Sequence, residues 1–408
     1  MATPDGERRL TPPAIALIWD DVTRLGGVNT WLYQLVDLLP ARGLDAWLVD
    51  LGESECGLVD VAPWRHRILT LRQRPLESAR GFRRRVRDEF ERRGIRLAVL
   101  QEHRFGEDLI ACLPAGFPVS NVIHVDRPDP RYLQLALALD PMLVEQYCVS
   151  PRILEKFLPL LPPERRDRVS FLPLGVEMPP ELPPRPLAPG EPLSVVYAGR
   201  LSHGQKRVLD IPEFMAAADR AGLRITFDIY GGGEDEVALR EYAKPWSDRG
   251  TLRLHGSRPQ TEVLEALAGA HVMILFSDYE GLPLVLLEAM ARSTVPVVTD
   301  VPSGIRDLLR DGHDARLYPP RRPDEAVRVL AELAGDPEHY SRLARNARQT
   351  SLQYDLARCT DAYADHFRKT AAGPDIYRQP TPPRPRAGWK QALADRLPGV
   401  LLRKLQRA

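Results

Sequence analysis

The sequence predicts an α/β protein of two Rossmann-like domains in tandem, facing each other across a deep cleft. Short apolar runs alternate with helical stretches, as in parallel sheets wrapped by crossover helices. The alternation occurs twice, on either side of a proline-dense break. A chain of 408 residues also exceeds one ordinary hydrophobic core, so two domains are the natural division.

In the first half, the runs at 14–19, 46–51, 97–100, 119–125 and 147–149 read as strands, and 30–39 reads as the amphipathic helix joining the first two. The segment from Met178 to Pro192 is too rich in proline to continue a helix or sheet and reads as a linker. Strands then resume at 193–198, 224–230, 252–255, 272–276 and 295–299, with helices such as 262–268 and 283–292 between them. From 323 to 369 the pattern is helical. The expected organisation is a first domain at 1–177, the linker at 178–192 and a second domain at 193–350. A helix at 351–369 returns to the first domain, and a Pro/Arg-rich tail at 370–408 ends in a basic amphipathic stretch.

Composition excludes several classes. Net charge is +1, so no global field argues for nucleic acid. Cys56, Cys112, Cys148 and Cys359 lack metal or redox spacing and read as buried thiols of a reducing compartment. The polar N-terminus has no signal-peptide core, and no run approaches the roughly 18 apolar residues of a membrane span. The expectation is a cytoplasmic protein, with membrane contact only from the inner surface.

Chemistry concentrates where strands end. Ligands of open parallel sheets bind beyond the strands' carboxyl ends. Tyr279-Glu280-Gly281-Leu282-Pro283 leads into an almost wholly apolar helix carrying Glu288. A carboxylate in such a helix needs a partner, either a buried arginine or a ligand's hydroxyls. Pro283 suits a first helical turn, whose free amides attract anions. Gly199-Arg200 and Lys206 follow a strand, and two cations there suit a phosphate, although a solvated loop reads equally well. Gly231-Gly232-Gly233 lacks the third small residue of a dinucleotide fingerprint and reads as a tight turn. The run from Arg24 through Gly26 and Gly27 to Asn29 precedes the first helix, a phosphate-accessible position or a plain turn. His124 ends a first-domain strand and His103 follows another; a lone histidine is more often structural.

In this order the motifs resemble the retaining glycosyltransferases of the GT-B fold, specifically glycosyltransferase family 4. Gly26-Gly27-Val28 resembles the family's first-domain glycine loop, and His124 its strand-end histidine. Ser150 and Leu174-Gly175-Val176-Glu177 resemble the segment closing the first domain. Gly199-Arg200 with Lys206 resembles the phosphate-binding pair, and Glu280 to Glu288 the two-glutamate motif with seven residues between. The resemblance spans residues 14 to about 318, with the following helices fitting the fold's tail. Three positions depart from it: Leu174 for Asn, Asp307 for Glu, and Ala291–Pro296 without the common glycine.

The resemblance implies a retaining transferase of hexosyl type, acting on a nucleotide-sugar donor, with UDP-sugar favoured over GDP-sugar. The acceptor is a glycan, a lipid-linked sugar or a small molecule. Arg200 and Lys206 neutralise the diphosphate, Glu288 binds the ribose, and Glu280 with Gly281, Leu282 and Pro283 holds the sugar and phosphate. His124 contacts the sugar near the reacting carbon, and Arg258 lies near the base. No metal or other cofactor is implied. A nucleotide-sugar epimerase, a phosphorylase and an inactive sugar-nucleotide binder share these features and remain as alternatives. A dinucleotide oxidoreductase is a weak third reading, because no fingerprint follows the first strand.

Two basic segments stand apart. Arg80 to Phe90 turns Phe82, Val86 and Phe90 to one side and arginines to the other. Trp389 to Leu405 is a second basic amphipathic stretch. Each reads as a solvated face, or as contact with anionic lipid or glycan.

Overall fold

The computed structural model describes residues 12–23, 26–52, 60–102, 109–127, 129, 131–180, 182–188 and 190–372. Arg24, Leu25, Cys56, His103 and the tail from 373, with its Trp389–Leu405 stretch, lie outside the described residues.

Two sheets organise the chain. The first contains β1 (Ala14–Trp19), β2 (Asp45–Asp50), β3 (Ile68–Thr70), β4 (Ile95–Gln101), β5 (Val119–Ile123), β6 (Glu145–Cys148) and β7 (Val169–Phe171), in the order β3-β2-β1-β4-β5-β6-β7. The second contains β8 (Leu193–Ala198), β9 (Ile225–Tyr230), β10 (Leu252–Gly256), β11 (Val272–Leu275), β12 (Val295–Thr299) and β13 (Arg316–Tyr318), in the order β10-β9-β8-β11-β12-β13. Every pairing within them is parallel. Strand order therefore reverses between β1 and β4 in one sheet and between β8 and β11 in the other. Crevices open at the carboxyl ends of such strand pairs.

The fully buried strands are the long apolar runs of the sequence, as parallel sheets covered on both faces require. Three strands, β3, β7 and β13, carry no such run. Each has three residues, one of them buried, and each lies at a sheet edge. The run expected at 119–125 stops at Ile123, so His124 and Val125 belong to the loop beyond the strand.

The apolar helix after β11 is shorter than its sequence suggests. It spans Leu284–Met290, seven residues against the ten expected at 283–292, and Glu288 lies about one turn in. A last helix, Leu356–Ala371, packs on the first domain: Tyr363 OH donates to the Leu172 carbonyl at 2.7 Å, and its ring lies 5.0 Å from that of Trp31. Where the chain crosses back, Val176 and Asp355 form a parallel bridge. A Cβ on Gly175 would lie 2.6 Å from the Leu356 Cα, so only glycine permits that crossing.

The proline-rich linker lies along the second domain. Its carbonyls are taken by side chains there: Pro179 by Arg348, Leu182 by Ser293 and Pro186 by His271. Side-chain donors stand in where proline prevents a regular ladder. Cys148 and Cys359 are buried free thiols, whereas Cys112 is half-buried.

Candidate active site

The loops after β8 and β11 meet at the reversal point of the second sheet. Lys206 closes a one-turn helix, His203–Lys206, and its Nζ lies 2.6 Å from Glu280 Oε1. Ser277 Oγ donates to the same oxygen at 2.6 Å. Glu280 is buried, which a carboxylate tolerates only with partners of this kind. The sequence reading gives Lys206 to a phosphate and Glu280 to a sugar; in the structure they are an ion pair. Arg200 stands beside them, its Nη2 donating to Gln205 Oε1 at 2.9 Å, while Gln205 Nε2 donates to the Tyr279 carbonyl at 3.1 Å. Gln205 thus ties the Arg200 loop to the Glu280 loop.

Glu288 is buried, and its protein partner is neutral: Gln260 Nε2 donates to Oε1 at 2.8 Å. Burial raises its carboxyl pKa, opposed by that hydrogen bond and the Arg292 charge, with Glu177 adding to the rise. Arg292 donates instead to the Glu288 carbonyl, at 3.1 Å. Arg258 is exposed and donates from Nε to the His255 carbonyl at 3.0 Å.

Several glycines admit close approach of the chain's own backbone. A Cβ on Gly281 would lie 1.7 Å from the His124 carbonyl oxygen, and one on Gly304 would lie 1.4 Å from the Gly281 carbonyl oxygen. Gly281 therefore admits the first domain's His124 loop rather than a ligand on that side. Leu282 and Pro283 are buried with it. A Cβ on Gly231 would meet the Gly199 carbonyl at 1.8 Å, and one on Gly233 the Leu201 carbonyl at 2.3 Å. That triplet lets the Gly199–Leu201 loop lie flat on it. Gly26 and Gly27 are exposed, and Gly27 faces the Leu284 side chain of the second domain.

On the first-domain side, His124 is buried and stacks edge-on at 5.5 Å from Trp31. Its Nε2 lies 2.7 Å from Gln101 Oε1, while Gln101 Nε2 donates to the Val99 carbonyl at 3.2 Å. That orientation of the amide puts the imidazole proton on Nε2. Nδ1 is left as an acceptor with no protein partner. Burial holds the His124 pKa down at about 3, so the ring is neutral at neutral pH.

Sequence reasoning overlooked Glu102. It follows β4 at the first sheet's reversal point, with a left-handed φ of 53°. Non-glycine residues adopt that conformation at a cost, often at functional sites. Its Oε1 accepts from the Val125 amide at 3.2 Å, and the Val125 Cα packs against Gly281. Burial raises its carboxyl pKa to about 7, opposed by hydrogen bonds from the Val125 and His124 backbone and by Arg127. Gln260 was missed too. Polar residues after strands are common, and nothing in the sequence pairs this one with Glu288.

The domains touch again at Asp307, one of the departures from the resembled pattern. Its Oδ2 accepts from the Arg152 amide at 2.9 Å, where Ser150 caps the helix Pro151–Phe157. Among the described residues, no helix is long and apolar enough to cross a membrane.

Residues 180–350 match the family model described as glycosyl transferases group 1. A putative colanic acid biosynthesis glycosyltransferase, WcaL, of Escherichia coli is 27% identical over 272 residues, covering 64% of each chain. The lipopolysaccharide 1,6-galactosyltransferase of Salmonella typhimurium is 31% identical over 153 residues, covering 37% of this chain and 42% of the relative. The matched region is thus less than two thirds of either relative. Among solved structures, Anabaena HepE in complex with UDP-glucose superposes with a TM-score of 0.71 at 14% identity, over 87% of this chain and 99% of that one. Sucrose-phosphate synthase of Thermosynechococcus elongatus gives 0.70 at 18% identity, over 88% and 98%. These likenesses show the fold: it is GT-B.

Proposed function

We propose that this protein is a retaining glycosyltransferase that takes a sugar from a nucleotide-sugar donor to a carbohydrate acceptor, free or lipid-linked. The observation that carries the reading is the Lys206–Glu280 pair beside Arg200 at the reversal point of the second sheet. Glycosyl transfer puts negative charge on the departing diphosphate, and fixed cations in a desolvated site lower that barrier. Arg200 and Lys206 supply them without a metal ion, so transfer should survive a chelator. Glu280 keeps Lys206 compensated until the donor arrives, and then faces the donor sugar.

Glu288 takes the ribose hydroxyls, because a carboxylate accepts two of them and Gln260 occupies only one of its oxygens. His124 is neutral, and its unpartnered Nδ1 accepts a sugar hydroxyl near the reacting carbon. Gly26 and Gly27 border the donor from the first domain, and Arg258 lies toward the base. UDP-glucose bound in a neighbour of the same fold favours a UDP-sugar here.

A thermal-shift screen against UDP-, GDP-, ADP- and dTDP-sugars identifies the donor, since a ligand at a hundred times its Kd adds about 2.7 kcal/mol of stability. Proton NMR of the first product formed from that donor then reports the anomeric outcome. An inverted linkage, or no response to any nucleotide sugar, would contradict the reading.

A further inference from the structure

The arginine stripe on the helix Ala79–Arg92 has no part in the cleft chemistry. Arg80, Arg84 and Arg87 recur at helical spacing on one outward face, with Arg80 and Arg84 exposed and Arg87 half-buried at the edge of that face, while Val86 and Phe90 are buried on the other. Their neighbours are neutralised: Arg85 pairs with Glu77, and Arg92 and Arg93 pair with Glu89. Arg80, Arg84 and Arg87 have no ion-pair partner among the described residues.

Of these cations, Arg80 stands in the first turn, where helix electrostatics disfavours it. The first turn holds no acidic residue, and the helix dipole is positive at that end. Acids begin only at Asp88, with Glu91 at the far end of the same stripe. Just ahead of the helix, Leu76 is 88% exposed. Cations beside a protruding apolar side chain match a bilayer, which offers anionic headgroups with hydrocarbon beneath them. A soluble polyanion has no use for the leucine.

Topology fixes where this face lies. The helix joins parallel strands β3 and β4, so it runs against them and begins at their carboxyl ends. Leu76 and Arg80 therefore sit on the same rim of the first domain as Glu102 and His124.

We infer that Leu76 with Arg80, Arg84 and Arg87 docks the protein on an anionic lipid bilayer, with the cleft rim toward the membrane. Docking goes beyond the transfer reading and does not depend on it. Its consequence, that the acceptor is reached from the bilayer, does rest on that reading.

Cosedimentation of the full chain with phosphatidylglycerol-containing vesicles, and with pure phosphatidylcholine vesicles, tests the surface without any assay of transfer. The wild type should bind the anionic vesicles only, and less at high salt. The triple variant Arg80→Gln/Arg84→Gln/Arg87→Gln should bind roughly a hundredfold more weakly. Leu76→Ser should weaken binding about tenfold at constant charge. Both changes are on the surface, and an unchanged thermal midpoint verifies folding. Full affinity in the triple variant, which would hand binding to another segment such as the basic tail, overturns the proposal. So does equal binding to neutral vesicles. An unaffected Leu76→Ser variant, with equal capture by a soluble anionic polysaccharide, overturns it in favour of a glycan.

Discussion

Lys206→Met tests the core of the site on stability and on function together. The Lys206 ammonium lies 2.6 Å from Glu280 Oε1, and the two side chains are only 14% and 6% exposed. Removing the lysine leaves a buried carboxylate with one neutral donor, Ser277. Stranding one partner of a buried pair costs about 3 kcal/mol or more. Glu280→Gln should be milder, about 1–2 kcal/mol, because its amide oxygen still accepts from Ser277 and the stranded charge is the more exposed lysine. The double variant strands no charge, so it should be more stable than the sum of the single losses by about 2 kcal/mol. Urea unfolding at fixed pH and salt measures all four proteins, with an unchanged slope confirming that native stability is what moved. Function should split differently. Lys206→Met should lose nucleoside diphosphate affinity. Glu280→Gln should keep it or gain, since Lys206 no longer answers to Glu280, yet transfer should fall by about a hundredfold or more. Additive stabilities would refute the pair as a coupled unit, and normal turnover by Glu280→Gln would remove Glu280 from the site.

Other consequences follow from the same geometry. Gln260→Leu removes the hydrogen bond on Glu288, so its carboxyl pKa should climb further above 4.5 and donor affinity should need a higher pH; calorimetric titration of the donor across pH reads the shift. Gly281→Ala drives a Cβ into the His124 carbonyl and should cost about 1–3 kcal/mol or force the domains apart, visible as a larger radius of gyration in X-ray scattering. His124 titrates at 6.5 when unfolded and about 3 when folded. The unfolded chain therefore binds the extra proton in that window, and stability should rise with pH through it by up to about 1.4 kcal/mol per unit. Glu102 acts in the opposite sense between 4.5 and about 7, because the folded chain binds the extra proton there. Glu102→Gln should steepen the rise with pH and His124→Gln should flatten it, as denaturant titrations at several pH values will show.

The fold was legible because most strands of the two parallel sheets are written as short apolar runs, and ten of them stand out. The edge strands β3, β7 and β13 are only three residues long and leave no such trace. Charged site residues were legible as exceptions to an apolar pattern: Arg200, Lys206 and Glu280 beyond strand ends, and Glu288 within an apolar helix. Their pairing was not, because Lys206 meets Glu280 across 74 positions and Gln260 meets Glu288 across 28. Glycine was an incomplete signal. It marks close approach of backbone without naming the approaching partner, and at Gly281 and Gly231 the partner is this chain's own carbonyl. Glu102 had no sequence signature, since its interest lies in a left-handed backbone and in a neighbour from the loop after β5.

The central claim is that the second domain holds a nucleotide diphosphate sugar between Arg200, Lys206 and the two glutamates. A crystal structure of the protein with the donor selected by the thermal screen tests it most directly. The account predicts the diphosphate on Arg200 and Lys206, with Glu280 turned to the sugar and both ribose hydroxyls on Glu288. A nucleotide seated at the strand ends of the first domain, with the Lys206–Glu280 pair intact and Glu288 still bound only to Gln260, would contradict it.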